Sequence, residues 1–148
     1  MKASILRRFK QESATILPGA VPSFYAVMDA ELAFARDSFF SHPLVHRCRE
    51  DVLPFLNDDF GHGIEHAKKV AVEACALVLS EAKHLEFERA RRLSLLAMLS
   101  GLLHDTCRLE GEHASRGAEL SLLILQDYPL HDEEKAMIAD AIRCHEAF

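Results

Sequence analysis

The stretch LSLLAMLSGLLHDTCR, residues 93–108, decides the fold, because it reads as an apolar helix that ends in a histidine and an aspartate. Its leucines recur at the spacing of one helix face: Leu95, Leu96, Leu99, Leu102 and Leu103. The small residues Ala97, Ser100 and Gly101 let neighbouring helices approach closely on the other sides. A helix that is apolar nearly all round belongs at the centre of a helical bundle.

The pair His104–Asp105 ends this apolar helix and is expected to be buried with it. Burying an imidazole and a carboxylate is unfavourable unless a partner offsets their lost hydration. A metal ion is such a partner, and metal sites in helical bundles are built from inward-facing side chains on several helices. We therefore searched the rest of the chain for further ligands.

Composition limits the class of protein. A chain of 148 residues with 49% apolar and 27% charged residues predicts one soluble globular domain. The net charge of −6 gives no basic field that would attract nucleic acid or an anionic membrane surface. No run reaches the ~18 apolar residues of a membrane span, and the N-terminus lacks the apolar core of a signal peptide. We expect a cytoplasmic protein whose four cysteines, without a C-x-x-C pair, stay reduced.

The apolar periodicity predicts an all-α fold, an antiparallel bundle of about six helices, since no region alternates with a period of two. Residues 1–22 read as an N-terminal arm that ends in LPGAVP, and residues 23–148 as one helical domain. Ser23 and Asp132 are the expected N-caps of the first and last helices. The predicted helices span 24–36, 44–56, 64–82, 87–105 and 112–126, with a last helix from residue 132.

Further histidines lie where partners for His104 are needed. His62 and His66 are four residues apart and share a face near the start of one helix. The chain between His66 and His104 is long enough for two antiparallel helices and a turn, which places both residues at the same end of the bundle. Imidazoles with a carboxylate suit a divalent transition metal better than Ca or Mg.

Four short motifs occur in order along these helices. They are H-x-x-K-V at 66–70, L-L-H-D at 102–105, H-A-S-R-G-A-E-L at 113–120 and A-I-R-C-H-E at 141–146. Together they resemble the HD-domain superfamily of metal-dependent phosphohydrolases, from about Asp59 to the C-terminus. The resemblance implies an HD-domain-like bundle and a divalent metal ion such as Mn, Fe, Zn or Mg.

The resemblance also implies roles for individual residues. His66, His104 and Asp105 match the metal ligands of the family, and His113 and His145 match positions that hold a second metal or contact the substrate phosphate.

Catalytic roles follow from the residues themselves. Asp105 is placed to orient the attacking water as well as to bind metal. Lys69 follows His66 by three residues, and Arg108 follows His104 by four. Both are within reach of a phosphate bound at the metal. His62 is a further candidate for substrate contact, whereas we expect Glu65 and Glu146 to be solvated.

Two departures from the family pattern matter. Cys144 stands before His145 where one branch has two adjacent histidines, and no G-Y-P follows, which argues against a cyclic di-GMP phosphodiesterase. The family closes its site with an aspartate on a later helix, and here no aspartate follows His145. We interpret the ending at Phe148 as a truncation before that ligand.

Three functions are therefore weighed. The leading one is a phosphohydrolase acting on a phosphoester of a nucleotide or related small metabolite. The second is a catalytically weak HD module that binds metal or nucleotide as a sensor or interaction domain, and the third is a purely structural histidine cluster.

Some polar residues and thiols are expected to have no role at the site. Arg89, Arg91 and Arg92 form a basic cluster at the far end of the central helix, where we expect a solvated face. Surface positions are expected for His42, His46, His84 and His131, and core positions for the thiols of Cys107 and Cys144.

Overall fold

A computed structural model describes residues 22–56 and 63–146 of the chain, together with Ile5, Arg8, Glu12 and Thr15. This part of the chain contains seven α-helices and no strand, so the all-α prediction is confirmed. Most of the predicted N-terminal arm lies outside the described residues, and so does His62.

The helices follow the predicted order with different bounds. They are α1 Ser23–Val27, α2 Asp29–Ser41, α3 Pro43–Val52, α4 Ile64–Glu81, α5 Phe87–Leu103, α6 His113–Ile124 and α7 Asp132–Arg143. The predicted helix 24–36 is split in two at Met28 and extends further, to Ser41. The helix predicted to reach residue 56 ends at Val52, because Pro54 cannot donate to the ladder and a short 3₁₀ turn replaces the last α-turn.

The two expected N-caps are wrong by one residue. Pro22 and His131 occupy the N-cap positions, and Ser23 and Asp132 are the first helical residues. At the start of α7 the backbone N–H of His131 donates to Glu134 Oε2 over 2.9 Å, one half of a capping box. Glu134 also accepts two hydrogen bonds of 2.6 Å from Arg92, which hold its pKa at about 2. This pair fastens α7 to the start of α5.

Helix α5 is the centre of the bundle, as predicted. All five leucines of the predicted face are buried, and Met98 on another face has no exposed surface. The helix packs most extensively against α4 and also contacts α7 and α3. An apolar helix covered on several sides in this way supplies most of the hydrophobic stabilisation of a small domain.

The contact between α4 and α5 is unusually close at Gly101. A Cβ atom built on Gly101 would lie 2.7 Å from Cα and 2.8 Å from the backbone N of Ala71. The buried stripe of α4 is accordingly made of small residues, Ala67, Ala71 and Cys75, whereas the larger Leu77 of the same helix is 47% exposed. Because α4 and α5 are joined by a short turn and run antiparallel, His66 and His104 lie at the same end.

The cysteines behave partly as expected. All four are free, and burial raises the pKa of the Cys48 thiol to about 12 and that of Cys75 to about 11. Both are therefore unreactive core thiols. The prediction of core positions fails for Cys144, which is exposed, and Cys107 is only partly buried.

The helices were also compared with the dimensions of a lipid bilayer. None of those in the described part of the chain combines the length and the apolar character needed to cross a membrane.

We predict that Gly101→Ala destabilises the protein, although glycine to alanine inside a helix ordinarily stabilises by up to ~1 kcal/mol. The added methyl group meets backbone atoms of α4, which cannot move aside like a side chain, so we expect a loss of about 1–3 kcal/mol. Thermal unfolding of the variant measures it. Gly111→Ala is the matched control, because a Cβ there meets nothing within 4 Å. Equal melting temperatures for Gly101→Ala and the wild type would contradict the close crossing.

Candidate metal centre

Four elements bring five predicted residues together at one end of the bundle. His66 lies in the first turn of α4, and His104 and Asp105 directly follow the last residue of α5. His113 is the first residue of α6, and His145 follows the end of α7. These residues form two groups whose ligand atoms lie within 4.8 Å of one another: His66, His104 and Asp105, and then Asp105, His113 and His145.

The first group surrounds one oxygen of Asp105. His104 Nε2 lies 3.3 Å and His66 Nε2 3.6 Å from Asp105 Oδ2, and the two imidazole rings are 5.3 Å apart between centroids. The Asp105 side chain is only 2% exposed, whereas that of His66 is 31% exposed. The carboxylate therefore forms the floor of the cluster, and His66 lies at its open side.

The second group surrounds the other oxygen of the same carboxylate. His145 Nε2 lies 3.8 Å from Asp105 Oδ1, and the His145 ring is 5.2 Å from the rings of both His104 and His113. Asp105 is thus shared between two groups of histidines, one on each carboxylate oxygen. This arrangement could hold one metal ion or two.

Hydrogen bonds to the backbone determine which nitrogens face Asp105. His104 Nδ1 lies 2.8 Å from the carbonyl oxygen of Gly101, and His145 Nδ1 lies 2.7 Å from that of Ile142. A carbonyl oxygen only accepts, so each Nδ1 carries the proton and donates. In the neutral rings, Nε2 then presents a lone pair toward the carboxylate. Histidine ligands of metals are commonly oriented by such a bond from the second nitrogen.

Lone pairs that face a carboxylate are unfavourable unless a metal ion or a proton lies between them. His145 Nε2 is buried and has no hydrogen-bond partner among the residues that the structure describes. The carbonyl end of α5, which terminates at this point, adds a further partial negative charge. The donor set can therefore hold a metal ion, and its nitrogen-rich chemistry is typical of transition metals.

Arg108 lies at the edge of the cluster, as its spacing from His104 suggested. One guanidinium nitrogen, Nη1, is 3.8 Å from Asp105 Oδ1 and 3.4 Å from His113 Nε2, and the side chain is 40% exposed. Glu146, expected to be solvated, is half exposed, but its Oε1 lies 3.3 Å from His113 Nε2. The cluster is thus bordered by one cation and one carboxylate on its solvent side.

Lys69 occupies a different environment from the five-residue cluster. Its exposed ammonium lies 4.0 Å from Glu73 Oε1, and Glu73 also accepts a hydrogen bond from the Tyr25 hydroxyl. Glu65 is highly exposed and lies 3.7 Å from Lys68, as expected of a solvated residue. Lys69, one helical turn beyond His66, therefore has an acidic partner outside the five-residue cluster.

The turn between α5 and α6 has features that were not predicted from the sequence. The Thr106 hydroxyl donates to the Leu103 carbonyl over 2.9 Å, and Glu112 adopts a left-handed conformation with φ of 54° just before His113. A Cβ on Gly117 would lie 3.4 Å from the His104 carbonyl oxygen, so this glycine lets α6 lie close to the end of α5. The glycine of the H-A-S-R-G motif was the available signal for this packing.

Comparison of the chain with protein-family models, with curated proteins and with solved structures found no match. The HD-domain resemblance therefore stays a prediction, and the chemistry of the cluster follows from its geometry.

We predict that divalent Mn, Fe or Zn raises the melting temperature of the wild-type protein and that Asp105→Asn abolishes this effect. A ligand at 100 times its Kd stabilises by ~2.7 kcal/mol, and the neutral amide removes the charge shared by both groups. Differential scanning calorimetry with and without metal measures the effect. His84→Ala, which changes an exposed histidine outside the cluster, is the control. Metal stabilisation that survives in Asp105→Asn would place the ion elsewhere.

Proposed function

We propose that this protein is a metal-dependent phosphohydrolase of the HD-domain type, with an HD-like helical bundle. Its substrate would be a phosphoester of a nucleotide or of a related small metabolite. The observation that supports the proposal most is the position of Asp105. Its buried carboxylate lies between two groups of histidines, with the Arg108 guanidinium 3.8 Å from Oδ1.

The cluster supplies the groups that phosphoester hydrolysis needs. His66, His104 and Asp105 would hold a divalent ion, and His113 and His145 would hold a second ion or the substrate phosphate. Such an ion lowers the pKa of water from 15.7 toward ~7 and polarises the phosphoryl group. Excluding bulk water from the buried floor strengthens each of these electrostatic contacts.

The residues of the chain itself take two further roles. Arg108 lies at the solvent edge, from which its planar guanidinium can bind two phosphoryl oxygens at once. Asp105 Oδ1, on the side of Arg108, accepts a hydrogen bond from the attacking water and so orients it. In the reaction the water oxygen bonds to phosphorus, the ester P–O bond breaks, and the alcohol leaves with a proton.

We predict that Asp105→Ala abolishes metal-stimulated release of inorganic phosphate, because one carboxylate both binds the ion and orients water. Purified protein is assayed against p-nitrophenyl phosphate and a panel of nucleotides, with Mn, Fe, Zn and Mg in turn. His84→Ala should turn over at the wild-type rate, since its side chain is exposed and lies outside the cluster. Metal-dependent turnover that persists in Asp105→Ala would show that the chemistry occurs elsewhere.

We predict that Arg108→Met lowers kcat/KM by about 100-fold, the usual effect of losing one charge-stabilising donor. Lys69→Met, made in parallel, should change kcat/KM by less than about threefold, because its ammonium is engaged by Glu73. Steady-state kinetics on the best substrate of the panel compares the two variants. A larger loss of kcat/KM in Lys69→Met than in Arg108→Met would assign the phosphate contact to Lys69 instead of Arg108.

A second function, a metal-binding module without turnover, is favoured by one observation. Asp105 is the only carboxylate in the two ligand groups found among the described residues, so little negative charge is available to hold an ion. Metal-dependent stabilisation without hydrolysis of any phosphoester would support this function.

A further inference from the structure

A second polar cavity lies at the other end of α5. It has a volume of about 270 Å³ and is enclosed by α2, the start of α3, α4 and the first turns of α5. Arg91 on its wall precedes His104 by thirteen positions, which corresponds to about 20 Å along a helix axis. The cavity is therefore separate from the metal centre, and it is lined by Arg91 and Arg92, two of the three arginines that the sequence indicated as a solvated face.

Arg91 supplies an available positive charge. Its guanidinium carbon lies 5.3 Å from the ring centroids of both Phe34 and Phe87, and among the described residues it makes no ion pair. The neighbouring Arg92 donates to both carboxylate oxygens of Glu134, so its own charge is largely offset. Glu88 also lines the cavity, but it is exposed and makes no ion pair within the described part of the chain.

His42, predicted to be a surface residue, is half-buried in the cavity wall. Its Nδ1 accepts from the backbone N–H of Leu44 over 3.2 Å, so the neutral ring carries its proton on Nε2. Burial, and next the charges of Arg92 and Arg91, lower the pKa of His42. Both effects favour the neutral form of the ring, and the two guanidinium groups bring positive charge close to it.

The lining also contains a hydroxyl group and an apolar surface. Ser38 adds a hydroxyl beside His42, one helical turn along α2 from Phe34. Phe34, Leu95 and Met98 supply apolar surface. A ligand that matches this lining carries an oxyanion at one end and a short apolar body at the other.

We propose that this cavity binds a small organic anion, with its oxyanion on Arg91, His42 and Ser38 and its apolar body against Phe34, Leu95 and Met98. Arginine is suited to this role because its fork of N–H groups matches the two oxygens of a carboxylate or phosphate. The volume of about 270 Å³ leaves room for an anion of the size of benzoate. The site is independent of any hydrolytic activity at the metal centre.

The test is calorimetric titration of the metal-free wild-type protein, kept with a chelator, by benzoate and by the neutral isostere benzamide. We expect benzoate to bind and benzamide to bind at least about tenfold more weakly, because the charged hydrogen bonds are lost. Phenyl phosphate is titrated in the same way, and the tighter of the two anions identifies the oxyanion as carboxylate or phosphate.

Matched variants localise the binding. Arg91→Met keeps a long apolar stem beside the two phenylalanine rings and removes the charge, so we expect at least about a tenfold loss of benzoate affinity. Arg89→Met removes an exposed charge that does not line the cavity and should bind as the wild type does. Asp105→Asn should also bind benzoate normally, which separates this site from the metal centre.

Three results would overturn the proposal. The first is equal binding of benzamide and benzoate, and the second is an equal loss of benzoate affinity in Arg89→Met and Arg91→Met. The third is the absence of saturable binding of either anion at millimolar concentration. A measurement without any variant gives the same decision: bound benzoate must shift the methyl resonance of Met98 in the NMR spectrum and leave the ring of His145 unchanged.

Discussion

The close contact of Gly101 with the backbone of Ala71 is the constraint on which the rest of the structure depends. A side chain at position 101 would separate α4 from α5, because the nearest atoms are backbone atoms that cannot rotate away. Three residues after Gly101, just past the end of α5, the His104 ring lies only 5.3 Å from the His66 ring between centroids. The carbonyl of the same glycine accepts the hydrogen bond from His104 Nδ1. Gly101 thus determines both the spacing of the two helices and the orientation of the His104 imidazole ring.

In the histidine–aspartate cluster, folding stability and the proposed metal binding make opposite demands. Asp105 is almost fully buried, and imidazole nitrogens face both of its oxygens. Without a cation this arrangement costs free energy, which the apolar packing around α5 must offset. The same arrangement could hold a metal ion. This tension is typical of sites whose geometry serves binding rather than folding.

Helix α5 connects two polar regions through the centre of an apolar core. At its start, Arg92 is fastened to α7 by Glu134 while Arg91 remains available at the cavity. Directly after its end, His104 and Asp105 belong to the histidine–aspartate cluster. Between them, Leu99, Leu102 and Leu103 are fully buried, so the helix is held as a rigid spacer. The two sites therefore keep a constant separation of several helical turns.

The sequence by itself determined the helices, the central position of α5 and the identities of the five clustered residues. These follow from apolar periodicity and from the chemistry of histidine and aspartate, which are local properties of the chain. Tertiary structure alone decided that Leu77 is exposed, that Lys69 pairs with Glu73, and that His42 and Arg91 line a cavity. Each of these depends on where another helix crosses, and long side chains choose among several partners within reach. The protonated nitrogens of His104 and His145 were likewise decided by backbone carbonyls, because a hydrogen bond requires a geometry that spacing along the chain does not specify.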